Sequence, residues 1–152
     1  MLSGIGGKRV ERMSKKDNYI FYVYLLKLKG VAIYAGVTTE PITRYKSHYY
    51  SDFLGCDYIR YLAVQHKEYV TMDIIFCSHN VTTAYQKEWY TISQLVRDGN
   101  TLYNAHLPKQ SDKRVPKDNY PKVRLPYRFF TFEMISHVSE NIKKARSKYN
   151  YV

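Results

Sequence analysis

Glu88 is a carboxylate at a position where a helix should bury apolar residues. On a helical wheel it falls between Ala84, Ile92 and Leu95, inside the stripe that would face a core. An ionised carboxylate taken out of water needs compensation, from an arginine, a hydrogen-bond network or a metal ion. Upstream, Arg44 and His48 stand four residues apart and share one helical face. They are either a solvated surface pair or a fixed cation beside a titratable group, a combination suited to a phosphate that gains charge in a transition state. The chain holds 17 tyrosines, Tyr24 and Tyr34 among them, whose phenols can donate, accept or stack on bases. Asn104 reads equally as a turn residue and as a side chain that positions backbone or substrate.

These residues need a scaffold, and the pattern of apolar residues supplies one. Residues 19–28 are dense in aromatic and β-branched types and predict a central strand. Lys29 and Gly30 can turn the chain into a second strand over 31–37, so that Tyr24 and Tyr34 lie on neighbouring strands of a hairpin. A helix capped by Thr39 or Glu40, with Pro41 in its first turn, should run to about Tyr50. Residues 58–67 predict a second helix and 69–77 a third strand. Thr82 or Thr83 should cap the helix that carries Glu88, which runs to Arg97 with Gly99 as its left-handed stop. Pro108, Pro116, Pro121 and Pro126 then predict an extended arm. Ile135, Val138, Ile142, Ala145 and Tyr149 form the apolar stripe of a final helix, able to pack on the sheet domain or on a second copy.

Charge narrows the partner. The chain has 24 Lys and Arg against 13 Asp and Glu, a net charge of +11, which favours a polyanion: nucleic acid first, an acidic membrane surface second. Residues 1–104 hold 13 basic and 9 acidic side chains, and residues 105–152 hold 11 and 4, so the tail is the more basic part. Cys56 and Cys77 lack metal-cluster spacing and suit a reducing cytoplasm. With no apolar run of spanning length, no membrane partner is expected. The organisation implied is a basic, mobile leader (1–18), one sheet domain (19–107), and a basic arm with a C-terminal helix (108–152) for DNA binding or dimerisation.

Tyr22-Val23-Tyr24 and Tyr34-Ala35-Gly36, separated by a hairpin, are followed by Arg44, His48, Glu88 inside a long helix and Asn104 just after it. In this order and context the set resembles the GIY-YIG nuclease superfamily over roughly residues 19–107. Tyr22 stands where the family has its first glycine, and Ala35 where the second tripeptide has isoleucine. The resemblance implies an α+β fold, a small three-stranded antiparallel sheet flanked by helices, with a basic Pro-rich arm and a C-terminal helix appended. It also implies a divalent-metal-dependent DNA endonuclease of homing, phage or restriction type, acting as a monomer or homodimer. Glu88 would hold Mg²⁺ or Mn²⁺. Tyr24 would take a proton from the attacking water or orient it, and Arg44 would clamp the phosphate. Tyr34 and His48 would bond water or phosphate oxygens, and Asn104 would position the site.

Phosphate contacts are expected from Lys46 and from the arm residues Lys109, Lys113, Arg114, Lys117, Lys122, Arg124 and Arg128. Lys143, Lys144 and Arg146 on the final helix would add to them. The alternatives are a DNA-binding protein that keeps the fold without cleavage, with Tyr22 crowding the site, and a structural protein that uses its tyrosines for protein contacts.

Overall fold

The computed structural model describes residues 19–50, 57–104, 106–108 and 120–149. Three strands, β1 (Phe21–Leu28), β2 (Val31–Thr38) and β3 (Val70–Ser78), form one antiparallel sheet in the order β2-β1-β3. Four helices accompany them: α1 (Pro41–Tyr50), α2 (Asp57–His66), α3 (Val81–Arg97) and α4 (Phe132–Lys148). The α+β class, the small sheet and the C-terminal helix are those expected from the sequence. Lys29 and Gly30 both adopt positive φ, 52° and 81°, the mirror-image turn whose twist matches a tight hairpin.

The cap of α3 is a correction. Asn80, not Thr82 or Thr83, holds the N-cap position, and its side-chain oxygen accepts from the Thr83 N–H at 3.0 Å. Asparagine caps at least as well as threonine, and the helix begins two or three residues earlier than a threonine cap would place it. Gly99 has φ 90° just beyond the C-cap Asp98, as its position implied. Leader residues 1–18 and arm residues 109–119 lie outside the described residues.

Tyr22 through Leu26 of β1 are buried without a break, so helices must cover both sheet faces. On one face Tyr22, Tyr24, Leu26, Met72 and Ile74 pack with Tyr45 and Tyr49 of α1, Ile59 and Ala63 of α2, and Val138 and Ala145 of α4. On the other, Leu25, Ala32 and Ala35 meet Ile92, Leu95 and Val96 of α3. Ala35, where the resemblance has isoleucine, belongs to this second core and is fully buried. The stripe on α4 thus packs on the sheet of its own chain.

Both sheet edges are covered. Beside β3, the Tyr149 hydroxyl donates to the Ile75 carbonyl at 2.7 Å. Beside β2, Asn100 Nδ2 donates to the Ala32 carbonyl, the Tyr103 N–H donates to the Ile33 carbonyl, and the side chain of Asn104 bonds Ala35. The Tyr22 hydroxyl accepts from Arg146 Nε of α4 at 2.7 Å, with the guanidinium 5.9 Å from its ring centre.

Candidate active site

Strand register sets the site. Tyr24 of β1 lies opposite Gly36 of β2, and Tyr34 lies opposite Leu26 on the same hairpin. The two tyrosine rings stack with centroids 6.1 Å apart and planes 26° from parallel. A Cβ placed on Gly36 would sit 2.6 Å from the Tyr24 hydroxyl oxygen and 2.7 Å from its Cζ. Glycine is therefore required because a ring lies against the backbone, and no left-handed φ is involved.

Behind the phenols stands His48, fully buried on α1. Its Nε2 is 2.7 Å from the Tyr24 hydroxyl and its Nδ1 is 2.8 Å from the Tyr103 hydroxyl. A neutral imidazole has one donor and one acceptor, so one phenol donates into the ring while the other accepts from it. Tyr34 packs edge-on against both partners, 4.6 Å from the His48 ring and 4.7 Å from that of Tyr103. Asn104 secures the adjacent backbone: its Oδ1 accepts from the Ala35 N–H at 3.2 Å and its Nδ2 donates to the Ala35 carbonyl at 2.7 Å. The amide thus imitates a strand partner for the residue between Tyr34 and Gly36, a non-local bond rather than the local turn contact the sequence also allowed.

Two charges bear on the phenols. Burial pushes the Tyr24 phenol far above the ordinary tyrosine range; Tyr34 and Glu88 add to the shift, and Arg44 opposes it. Tyr34, partly exposed, is raised by burial and by Glu88, with Arg44 and Tyr24 opposing. Glu88 itself is half-buried on α3, and desolvation raises its carboxyl. Among the described residues neither Glu88 nor Arg44 forms an ion pair, although both act on the same two hydroxyls. A carboxylate desolvated without a cation to balance it is a site of stored electrostatic cost, and such sites recur where ligands bind.

No family model, curated protein or solved structure matches the chain.

The structure thus gathers Tyr24, Tyr34, Arg44, His48 and Glu88, and places Asn104 one residue from them through Ala35. His48 directs both ring nitrogens at phenols, so it reaches a substrate only through them. Tyr103 and Gly36 complete the cluster and were not singled out as functional side chains. For Gly36 the available signal was its place at the end of the second tripeptide; for Tyr103 it was adjacency to Asn104. Among the proposed phosphate contacts, Lys46, Lys122, Arg124, Arg128, Lys143, Lys144 and Arg146 are exposed, with Arg146 also bonded to Tyr22. Lys109, Lys113, Arg114 and Lys117 lie outside the described residues.

Two clefts of about 450 and 470 Å³ open elsewhere, one beside Val31, Tyr58 and Tyr120 and one on the outer face of α3 around Tyr85 and Trp89. Neither is lined by the residues of the cluster.

Proposed function

We propose that the chain is a divalent-metal-dependent DNA endonuclease of the GIY-YIG type, with Tyr24, Tyr34, Arg44, His48 and Glu88 as its active site. The observation that carries this reading is the pair of opposite charges, Arg44 and Glu88, set around two buried-side phenols without neutralising each other. The net charge of +11 supplies attraction for the polyanion.

Glu88 fits a hard cation, because its carboxylate is desolvated and no cation among the described residues offsets it. Among those residues no cluster of three or more His, Cys, Asp or Glu is gathered, so Glu88 would be a lone carboxylate ligand to Mg²⁺ or Mn²⁺, with water and phosphate oxygens completing the shell. When bound, such an ion supplies charge stabilisation to the leaving 3′ oxygen.

The protein groups divide the remaining work. Arg44 presents a planar fork of donors to the scissile phosphate. Tyr34, the more exposed phenol, orients the attacking water. Tyr24 takes a proton of that water on its oxygen while passing its own to Nε2 of His48, so no free phenolate is ever required. The water oxygen forms a bond to phosphorus as the bond to the 3′ oxygen breaks. This relay requires the tautomer in which Nδ1 donates to the Tyr103 hydroxyl, 2.8 Å away, and Nε2 is the acceptor, giving Tyr103 the orienting role of a third group. The pushed-up phenol of Tyr24 is consistent with this relay and not with a standing phenolate.

The alternative is a nucleic-acid-binding protein that retains the fold without cleavage; Tyr22, the departure that could crowd the site, has its hydroxyl bonded to Arg146 of α4. One active site nicks a single strand, and a homodimer would cut both. Among the described residues no helix is long and apolar enough to cross a membrane.

The test is supercoiled plasmid incubated with wild type, Glu88→Ala and Tyr24→Phe, each with Mg²⁺, Mn²⁺ or EDTA. Conversion to nicked or linear DNA by the wild type alone, and only with metal, is expected. DNA binding by all three proteins with no conversion under any condition would overturn the reading.

A further inference from the structure

The segment from Tyr120 to Thr131 carries Lys122, Arg124 and Arg128 and no acidic residue; Glu133 follows in the first turn of α4. Its end is fastened to α1, the helix of Arg44 and His48. Phe130 packs against Tyr45, Tyr49 and Tyr50 at 5.8, 5.4 and 5.4 Å between ring centres, and Phe129 lies 5.0 Å from Tyr49. Lys46 of the same helix stands 5.9 Å above Phe130.

From this anchored base two aromatic rings project into solvent. Tyr127 is 89 % exposed and Phe132 is 82 % exposed, against 58 % or less for the other exposed aromatic side chains among the described residues. Arg128 is held at φ 59°, a left-handed conformation uncommon for a residue with a side chain. That turn brings its guanidinium 5.4 Å from the Tyr127 ring centre. The ring thus has a cation beside it and is otherwise largely open to solvent. An exposed π-surface with Arg128 against it, on a segment that also carries exposed Lys122 and Arg124, matches one chemistry closely: bases that offer π-faces, strung on phosphates.

We infer that the Tyr127 tip is a stacking finger for DNA, the ring packing on a base that leaves its stack while Arg128, Lys122 and Arg124 hold the neighbouring phosphates. The inference rests on DNA being the substrate of the proposed function, and adds local unstacking of that DNA next to the helix that supplies Arg44. Apolar or aromatic wedges of this kind bend or open duplexes in other DNA-binding proteins.

The full-length chain would be mixed in EDTA, so that no cleavage intervenes, with a set of duplexes of about 30 base pairs that together carry 2-aminopurine at every third position. Wild type, Tyr127→Ala, Tyr127→Phe and Arg128→Ala are compared by anisotropy at several salt concentrations and by 2-aminopurine fluorescence. Since Tyr127 is exposed, its replacement leaves the core untouched. Tyr127→Ala is expected to weaken binding about tenfold with an unchanged salt slope and to abolish a fluorescence rise that Tyr127→Phe keeps. Arg128→Ala is expected to lower the salt slope by about one. Equal fluorescence and affinity for wild type and Tyr127→Ala overturn the finger while leaving the nuclease reading intact. No DNA binding by the wild type overturns both. Loss of stacking in Tyr127→Ala alongside a wild type that never cuts sustains the finger and removes the nuclease.

Discussion

Two pairs of tyrosines in the same core show how one residue type serves two ends. Tyr45 and Tyr49 of α1 are buried with their phenols raised by burial, and both address a single backbone residue. Tyr45 donates to the Val70 carbonyl at 2.7 Å, and the Val70 N–H donates to Tyr49 at 3.1 Å. Tyr24 is as buried and Tyr34 partly so, but the groups around them are an imidazole, a guanidinium and a carboxylate. The first pair closes the start of β3 by bonding both backbone groups of Val70. The second borders an arginine and a carboxylate that form no ion pair among the described residues, a state a substrate phosphate and a cation would complete.

Mutations should separate the pairs. Glu88→Ala is expected to reduce plasmid cleavage by at least about a thousandfold with the fold intact by circular dichroism, since it removes the carboxylate and no core atom. Arg44→Lys should cost roughly a hundredfold in kcat, because an ammonium cannot reproduce the planar fork. His48→Gln should lower the single-turnover rate by about a hundredfold and flatten its dependence on pH, the signature of a lost proton acceptor. Tyr49→Phe tests the other pair: it leaves the Val70 N–H unsatisfied, lowers stability by about 1–2 kcal/mol in urea unfolding, and leaves the rate per folded molecule unchanged. Loss of cleavage in Tyr49→Phe at full folding would erase the distinction.

The smallest effect concerns pH. Burial raises the Glu88 carboxyl in the folded chain, so the folded state holds the proton more tightly than the unfolded one. Stability from this group is present below the unfolded carboxyl value and is lost as pH rises through the raised folded value. Without metal, Glu88→Gln should therefore raise Tm by about 2 °C at neutral pH and by less in acid, where wild-type Glu88 is already protonated.

Much of this arrangement was legible in the residues. The hairpin followed from the strand-forming run around Lys29 and Gly30, and Arg44 and His48 shared a face because four residues make one turn. Glu88 stood out as a charge within an apolar stripe. Contacts between segments distant in sequence were not legible. Nothing local to Tyr103 places it on His48, 55 residues away, nor Asn104 on Ala35, 69 away. Those pairings arise because the chain leaving α3 runs along the open edge of β2, and its direction depends on tertiary packing. Asn80 was overlooked because two threonines nearby offered the same capping chemistry. The inward face of Ala35 became readable only once α3 was seen against it.

The claim that Glu88 is kept unbalanced for a divalent cation can be measured without catalysis. Mn²⁺ would be titrated into wild type and Glu88→Gln in the presence of duplex DNA, under conditions too brief for cleavage or with Tyr24→Phe in both backgrounds, and bound metal would be followed by electron paramagnetic resonance. The account predicts one site per chain that is strengthened by DNA, weakened as pH falls through the raised carboxyl value, and lost in Glu88→Gln. Equal Mn²⁺ binding by the two proteins would contradict it.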